Sequence, residues 1–233
     1  MHVYYRISDA GYKKIKAPYI NNENCLKNFV NNFLIGDTSY ITVIADNVST
    51  ATTEMIHKYI PKKCIEFCSL GSGAQTFNLA LDMALKLYDN EIVYFVENDY
   101  IHRQKSKQIL EEGFELGSSY VCLYDHVDKY INATDGGNPL IENGGEVTKV
   151  FLSKSCHWKL TNSTTMSFAS KVKTLKRTES ILRKYTTGTY PQDMNMFFEL
   201  RDAGETLISP MPAYSTHGDL VWMAPLINWS DEL

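Results

Sequence analysis

Apolar, β-rich runs alternate with stretches of helical spacing through the first hundred residues. Residues 2–7 are rich in β-branched and aromatic side chains and predict a strand. Cys25, Phe29, Val30 and Phe33 recur at helical spacing, which predicts a helix over 23–33. Residues 40–45 form a continuous apolar run, the pattern of a parallel strand buried on both faces. A helix over 49–59 follows, with Ser49 or Thr50 as its N-cap and Pro61 beyond its end. Residues 65–69 predict a short strand, Gly71-Ser72-Gly73 a turn, and 74–87 a helix with Phe77, Leu81, Ala84 and Tyr88 on one face. The run at 91–96 is the most strand-like in the chain. Such alternation implies a mostly parallel sheet with right-handed crossovers.

Beyond residue 100 the pattern loosens. Helices are expected over 104–116, 175–185 and 193–203, and strands over 120–124, 147–152 and 166–169. A glycine-rich loop at 135–145 is long enough to move. No internal repeat or low-complexity linker divides the chain, so a single α/β domain is expected, its mostly parallel central sheet flanked by helices.

Composition narrows the function classes. The 233 residues are 44% hydrophobic and 21% charged, enough for one large core. A formal net charge of −4 carries no basic face for nucleic acid. Five cysteines without paired C-x-x-C spacing argue against a disulfide framework or structural zinc. No apolar run approaches the roughly 18 residues of a membrane span, and no leader-like segment precedes the first strand. Sequons begin at Asn47, Asn132, Asn162 and Asn228, and the chain ends in Ser-Asp-Glu-Leu; without a secretory leader these leave the cytoplasm as the expected compartment.

In open α/β sheets ligands bind beyond the carboxyl ends of the strands. Here those ends carry Arg6, Ser8 and Asp9; Asp46-Asn47; Gly71-Ser72-Gly73; and Glu97-Asn98-Asp99. An extended backbone would project Glu97 and Asp99 to one side, and two hard oxygen donors suit Mg2+ or Mn2+. Each residue also has a plainer use: Asp46 as a helix N-cap, Glu97 and Asp99 as a polar turn, Arg6 as a surface cation.

At these residues the chain resembles the GT-A glycosyltransferases, particularly the family-2 group. Residues 41–50 resemble that family's strand followed by Asp-Asp-Gly-Ser, with Asp46-Asn47-Val48-Ser49 in its place. Residues 73–85, with Gly73 and Asn78, resemble the helix preceding the metal strand, and Glu97-Asn98-Asp99 stands where the family carries D-x-D. Pro191-Gln192-Asp193, then Arg201 and Gly204, resemble the later acid-to-helix segment, and His217 matches a C-terminal metal- or diphosphate-contacting histidine.

The resemblance implies a GT-A (Rossmann-like) fold with a nucleotide-sugar-binding half (1–100) and an acceptor-binding half (101–233). It implies Arg6, Ser8, Asp46, Gly73, Asn78, Glu97, Asn98 and Asp99 toward the nucleotide-sugar. Glu97, Asp99 and His217 would hold Mn2+ or Mg2+, and Asp193 would be the general base of an inverting transfer. The expected donor is a UDP-sugar and the acceptor a hydroxyl on a glycan, glycoprotein or other molecule, with Trp222 on the acceptor side. Asp193 as a helix cap and His217 as a loop histidine remain the plainer alternatives. His102 falls on the acceptor side or behind the metal, and Trp158 and Trp229 belong to packing. A sugar nucleotidyltransferase is the near rival, but the segment RISDAGYKK lacks its G-x-G-x-R loop. A non-catalytic sugar- or nucleotide-binding module on the same scaffold is the other.

Overall fold

The first strand, β1 (His2–Ser8), lies third in a nine-stranded sheet and is flanked in parallel by β2 (Ile41–Asp46) and β4 (Ile92–Glu97). β3 (Ile65–Cys68) adds to β2, also in parallel, and forms one edge. The computed structural model describes residues 1–10 and 14–233. Part of the RISDAGYKK stretch, Gly11 to Lys13, lies outside the described residues.

The remaining strands are β5 (Tyr100–His102), β6 (Tyr120–Val121), β7 (Val150–Leu152), β8 (His157–Leu160), β9 (Phe168–Lys171), β10 (Leu207–Met211) and β11 (Ser215–His217). The sheet order is β3-β2-β1-β4-β9-β6-β10-β8-β7, and β5 pairs with β11 in a separate two-stranded ribbon. β9 runs antiparallel to both β4 and β6, and β8 antiparallel to β10. The sheet is therefore parallel over its first four strands and mixed beyond them.

The period of two along each strand divides the apolar side chains between two cores. Val3, Tyr5 and Ile7 of β1, with Tyr94 and Val96 of β4, pack with α1 (Asn22–Phe29), α2 (Thr50–Tyr59) and α4 (Ser106–Glu115). Tyr4, Val93 and Phe95 pack with α3 (Gly73–Ala84), α5 (Val172–Lys184) and α6 (Asp193–Asp202). Among the described residues no helix is long and apolar enough to cross a membrane.

Several elements differ from the sequence reading for identifiable reasons. The expected helix over 23–33 ends at Phe29 and continues as a π-turn, Val30–Leu34, where Asn28 and Asn32 both donate to the His102 carbonyl, at 3.0 and 2.8 Å. α3 stops at Ala84, so Tyr88 is 87% exposed instead of sharing the buried face of Phe77 and Leu81. β8 gave no clear strand pattern because Lys159 interrupts it, yet Lys159 is buried and meets Asp125 at 2.8 Å. The glycine-rich loop is pinned by Asn138, which is buried and hydrogen-bonds Asp128, Asn162 and Ser163.

The mutually tilted rings of Phe77, Phe95 and Phe168 fix α3 on the sheet. Truncation of fully buried Phe95 to Ala should therefore cost about 3–5 kcal/mol. A urea midpoint corresponding to less than roughly 1 kcal/mol of loss would show that this packing is not formed.

Candidate functional site

Strand register brings the polar ends to one level: Ser8 pairs with Asp46, Asp46 with Cys68, and Arg6 with Glu97. A cavity of about 640 Å³ opens at this rim, lined by Arg6, Ser8, Asp46, Gly73, Glu97, Asn98, Asp99, Asp193 and His217 among others. A larger cavity of about 790 Å³ lies at the opposite rim, beside Tyr120 and Leu207 where β6 and β10 begin. The strand-end residues Arg6, Asp46, Glu97 and Asp99, with Asp193 and His217, belong to the first cavity.

Much of the polar lining is spent on building the walls. Asp46 accepts the backbone N–H groups of Leu70 at 2.6 Å and Gly71 at 2.9 Å, which fastens the turn before α3. Gly71 adopts φ +63, a conformation that favours glycine. Ser72 caps α3 and donates to the Thr189 carbonyl at 2.7 Å, tying that turn to the segment that leads into Asp193. Buried Arg6 donates to the carbonyls of Gly73 at 2.9 Å and Met166 at 3.1 Å, and its guanidinium lies 3.6 Å from Glu97. Asn98 reaches the Ser8 carbonyl at 3.3 Å and Asn22 at 2.6 Å, joining the ends of β4 and β1. The Ser8 hydroxyl donates to the Ala10 carbonyl at 2.8 Å, closing the start of the loop after β1.

The backbone turns at Asn98 and Asp99, so Glu97 and Asp99 line the cavity without sharing one extended segment. Glu97 faces Arg6. Asp99 Oδ2 lies 3.2 Å from His217 Nε2 and 3.1 Å from Lys16 Nζ, and Lys14 Nζ lies 3.1 Å from the same His217 nitrogen. Burial raises the Asp99 pKa, but His217, Lys16 and Lys14 outweigh it and hold the carboxyl below the usual carboxylate range. Among the described residues, no group of three His, Cys, Asp or Glu side chains forms a metal cluster. Asp99 and His217 are a two-residue pair.

Asp193 opens α6 and accepts the Met194 N–H at 2.8 Å. Burial and the nearby Glu97 charge push its carboxyl up to about 6, against the pull of that N–H, Lys14 and His217. This is a carboxylate suited to accept a proton near neutral pH.

Asn78 and Trp222 do not line the cavity. The Asn78 amide bonds Thr186 in both directions, at 2.9 and 3.0 Å, holding α3 to the end of α5. Trp222 packs on His126 with ring centroids 5.5 Å apart, and its carbonyl accepts the Tyr124 hydroxyl. His102 is a core residue: it is wholly buried against Phe29 and Phe33, bonds the Tyr94 hydroxyl at 2.9 Å, and burial lowers its pKa to about 3. Trp158 and Trp229 are buried, as expected.

No family model matches the chain, and no curated protein matches it in sequence. Solved structures do. A crystal structure of GalNAc-T7 with UDP, GalNAc and Mn2+ superposes over 93% of this chain at TM-score 0.58 and 11% identity. TarS of S. aureus superposes over 92% at TM-score 0.53 and 14% identity, and its 1–349 fragment over 92% at 0.50. The chain has the GT-A fold. It spans 43% of the GalNAc-T7 chain, 36% of the TarS chain and 60% of the TarS fragment.

Within the GT-A scaffold, some site residues escaped the sequence reading. Lys14 and Lys16 gave no signal, because lysines in a loop are ordinarily solvated. Gly218 follows His217 closely, but nothing in the sequence separates it from a turn glycine. Its N–H donates to the Asp99 carbonyl at 2.7 Å, and an added Cβ would meet Ile20 at 2.4 Å and that carbonyl at 2.8 Å. Gly218→Ala should therefore spread Asp99 from His217 and lower the melting temperature by several degrees. An unchanged melting temperature would show that the close approach is not there.

The raised Asp193 pKa has a sign that stability measurements can check. The fold favours the protonated acid, a contribution complete below the ordinary value of 3.8 and lost as pH rises through about 6. Asp193→Asn should accordingly stabilise the protein at pH 8, by at most roughly 3 kcal/mol, and far less at pH 4. Equal effects at the two pH values would contradict the raised pKa.

Proposed function

We propose that the chain is a glycosyltransferase that moves a sugar from a nucleoside diphosphate-sugar, a UDP-sugar foremost, to an acceptor hydroxyl. The observation that carries this reading is the cavity arrangement: a carboxylate with pKa about 6, Asp193, shares one cleft with the cation-facing pair Asp99–His217. The GT-A fold adds support, as does the UDP and Mn2+ in the GalNAc-T7 structure.

Direct displacement needs a stabilised leaving group and a base on the acceptor side. Asp193 takes the acceptor proton as the hydroxyl attacks the anomeric carbon, and a single base of this kind implies inversion. Glu97 keeps Asp193 basic by its charge, and Arg6 keeps Glu97 in place. The donor atoms suit a divalent cation, because Asp99 Oδ2 and His217 Nε2 lie 3.2 Å apart and both already face ammonium groups. Asp99 and His217 would hold Mn2+ or Mg2+, with Glu97 more distant and engaged by Arg6. A bound cation supplies charge neutralisation to the departing diphosphate. Residues 1–100 hold the donor and 101–233 supply the base and the acceptor side.

Asp193→Asn should spare binding of UDP while lowering transfer by roughly 10²–10⁴-fold, the range for loss of a general base. In the unaltered protein kcat/KM should rise with pH and level off above about 6 as Asp193 ionises. A near-normal rate in Asp193→Asn would remove it from the mechanism. Screening UDP, GDP and TDP with Mn2+ for thermal stabilisation tests the donor class, since a ligand of the folded state raises the melting temperature. No shift with any of the three would sink the transferase reading.

A further inference from the structure

Two lysines stand where a cation serving the diphosphate would stand. Lys16 Nζ is 3.1 Å from Asp99 Oδ2, and Lys14 Nζ is 3.1 Å from His217 Nε2. The His217 tautomer decides whether Nε2 donates to Asp99 or accepts from the Lys14 ammonium, which only donates. Asp99 Oδ2 and His217 Nε2 lie side by side, 3.2 Å apart. The partly buried Asp99 carboxylate needs positive charge against it, and the chain's own lysines provide part of that charge.

The placement is built into the backbone. Lys16 forms a β-bridge with Asp219, and the Leu220 N–H donates to the Ile15 carbonyl at 2.8 Å, which lashes this segment to the turn after β11. Both lysines also line the cavity that holds Asp193. A divalent cation cannot join Asp99 and His217 while two ammonium groups remain at contact distance, because like charges there repel strongly. A diphosphate relieves the conflict, since its oxygens accept from the lysines and release the Asp99–His217 pair.

We propose that Lys14 and Lys16 are built-in counter-cations that hold the Asp99–His217 pair in the donor-free protein and pass to the diphosphate on donor entry. The site then binds a diphosphate without any metal ion and takes up a metal ion tightly only when a diphosphate is present. This rests on the transferase reading, and it assigns positioning roles to two lysines which that reading does not use.

The test uses inorganic diphosphate and Mn2+ as probes on the full chain, with the variants Lys14→Ala/Lys16→Ala and Lys14→Arg/Lys16→Arg. By calorimetry in EDTA, the unaltered protein and the Arg variant should bind diphosphate, and the Ala variant at least tenfold more weakly. By electron paramagnetic resonance, Mn2+ alone should bind the Ala variant at least tenfold more tightly than the unaltered protein, with the difference shrinking when diphosphate is added. If the double Ala variant does not fold, Lys14→Ala, which leaves Asp99 its Lys16 partner, should show the same changes at smaller size. Diphosphate affinity in EDTA that is indifferent to the lysines overturns the inference alone, as does equal affinity for Mn2+ alone. An unaltered protein that binds no diphosphate even with Mn2+ overturns the transferase reading together with it.

Discussion

The contact between Asp99 at the end of β4 and His217 at the end of β11 is the constraint on which the site depends. It joins residues more than a hundred positions apart and fixes a carboxylate and an imidazole against two lysines. Gly218 makes the approach possible, because its N–H bonds the Asp99 carbonyl where no side chain would fit. A partly buried carboxylate is costly unless charge and hydrogen bonds compensate it. Here the compensation comes from His217, Lys16 and Lys14.

The second acid centre works by the opposite electrostatics. Asp193 is left near Glu97 in a desolvated corner, and its carboxyl rises to about 6 while Asp99 is driven down. Two aspartates in one cavity thus hold protons very differently, one as a permanent anion and one as a base near neutrality. Arg6 mediates between them: it lies under the cavity, braces Gly73 and Met166, and stands beside Glu97.

The parallel half of the sheet was legible because β2 and β4 are nearly continuous apolar runs and α1, α2 and α3 start at a capping asparagine or serine. Ser49 and Ser72 cap α2 and α3 through their side chains, the local chemistry that sequence reveals well. Long-range placement was less legible. Asp46 reads as a ligand contact or a cap for the next helix; it lines the cavity, and its carboxylate also holds the Leu70–Gly71 turn, a role no local pattern reveals. Asn78 looked like a donor contact and braces Thr186 instead. β8 was hidden by Lys159, whose buried pairing with Asp125 cannot be read locally. Lys14 and Lys16 were passed over for the same reason: a lysine's partner is decided by tertiary contacts, not by its neighbours in sequence.

The central claim is that the cavity at the carboxyl ends of β1, β2 and β4 is the diphosphate-sugar site. A crystal structure of the protein soaked with UDP and Mn2+ tests it most directly. The account predicts the diphosphate against Asp99, His217, Lys14 and Lys16, with Asp193 facing the position beyond its β-phosphate. Nucleotide bound instead in the cavity beside Tyr120 and Leu207, or a diphosphate remote from Asp99, would contradict it.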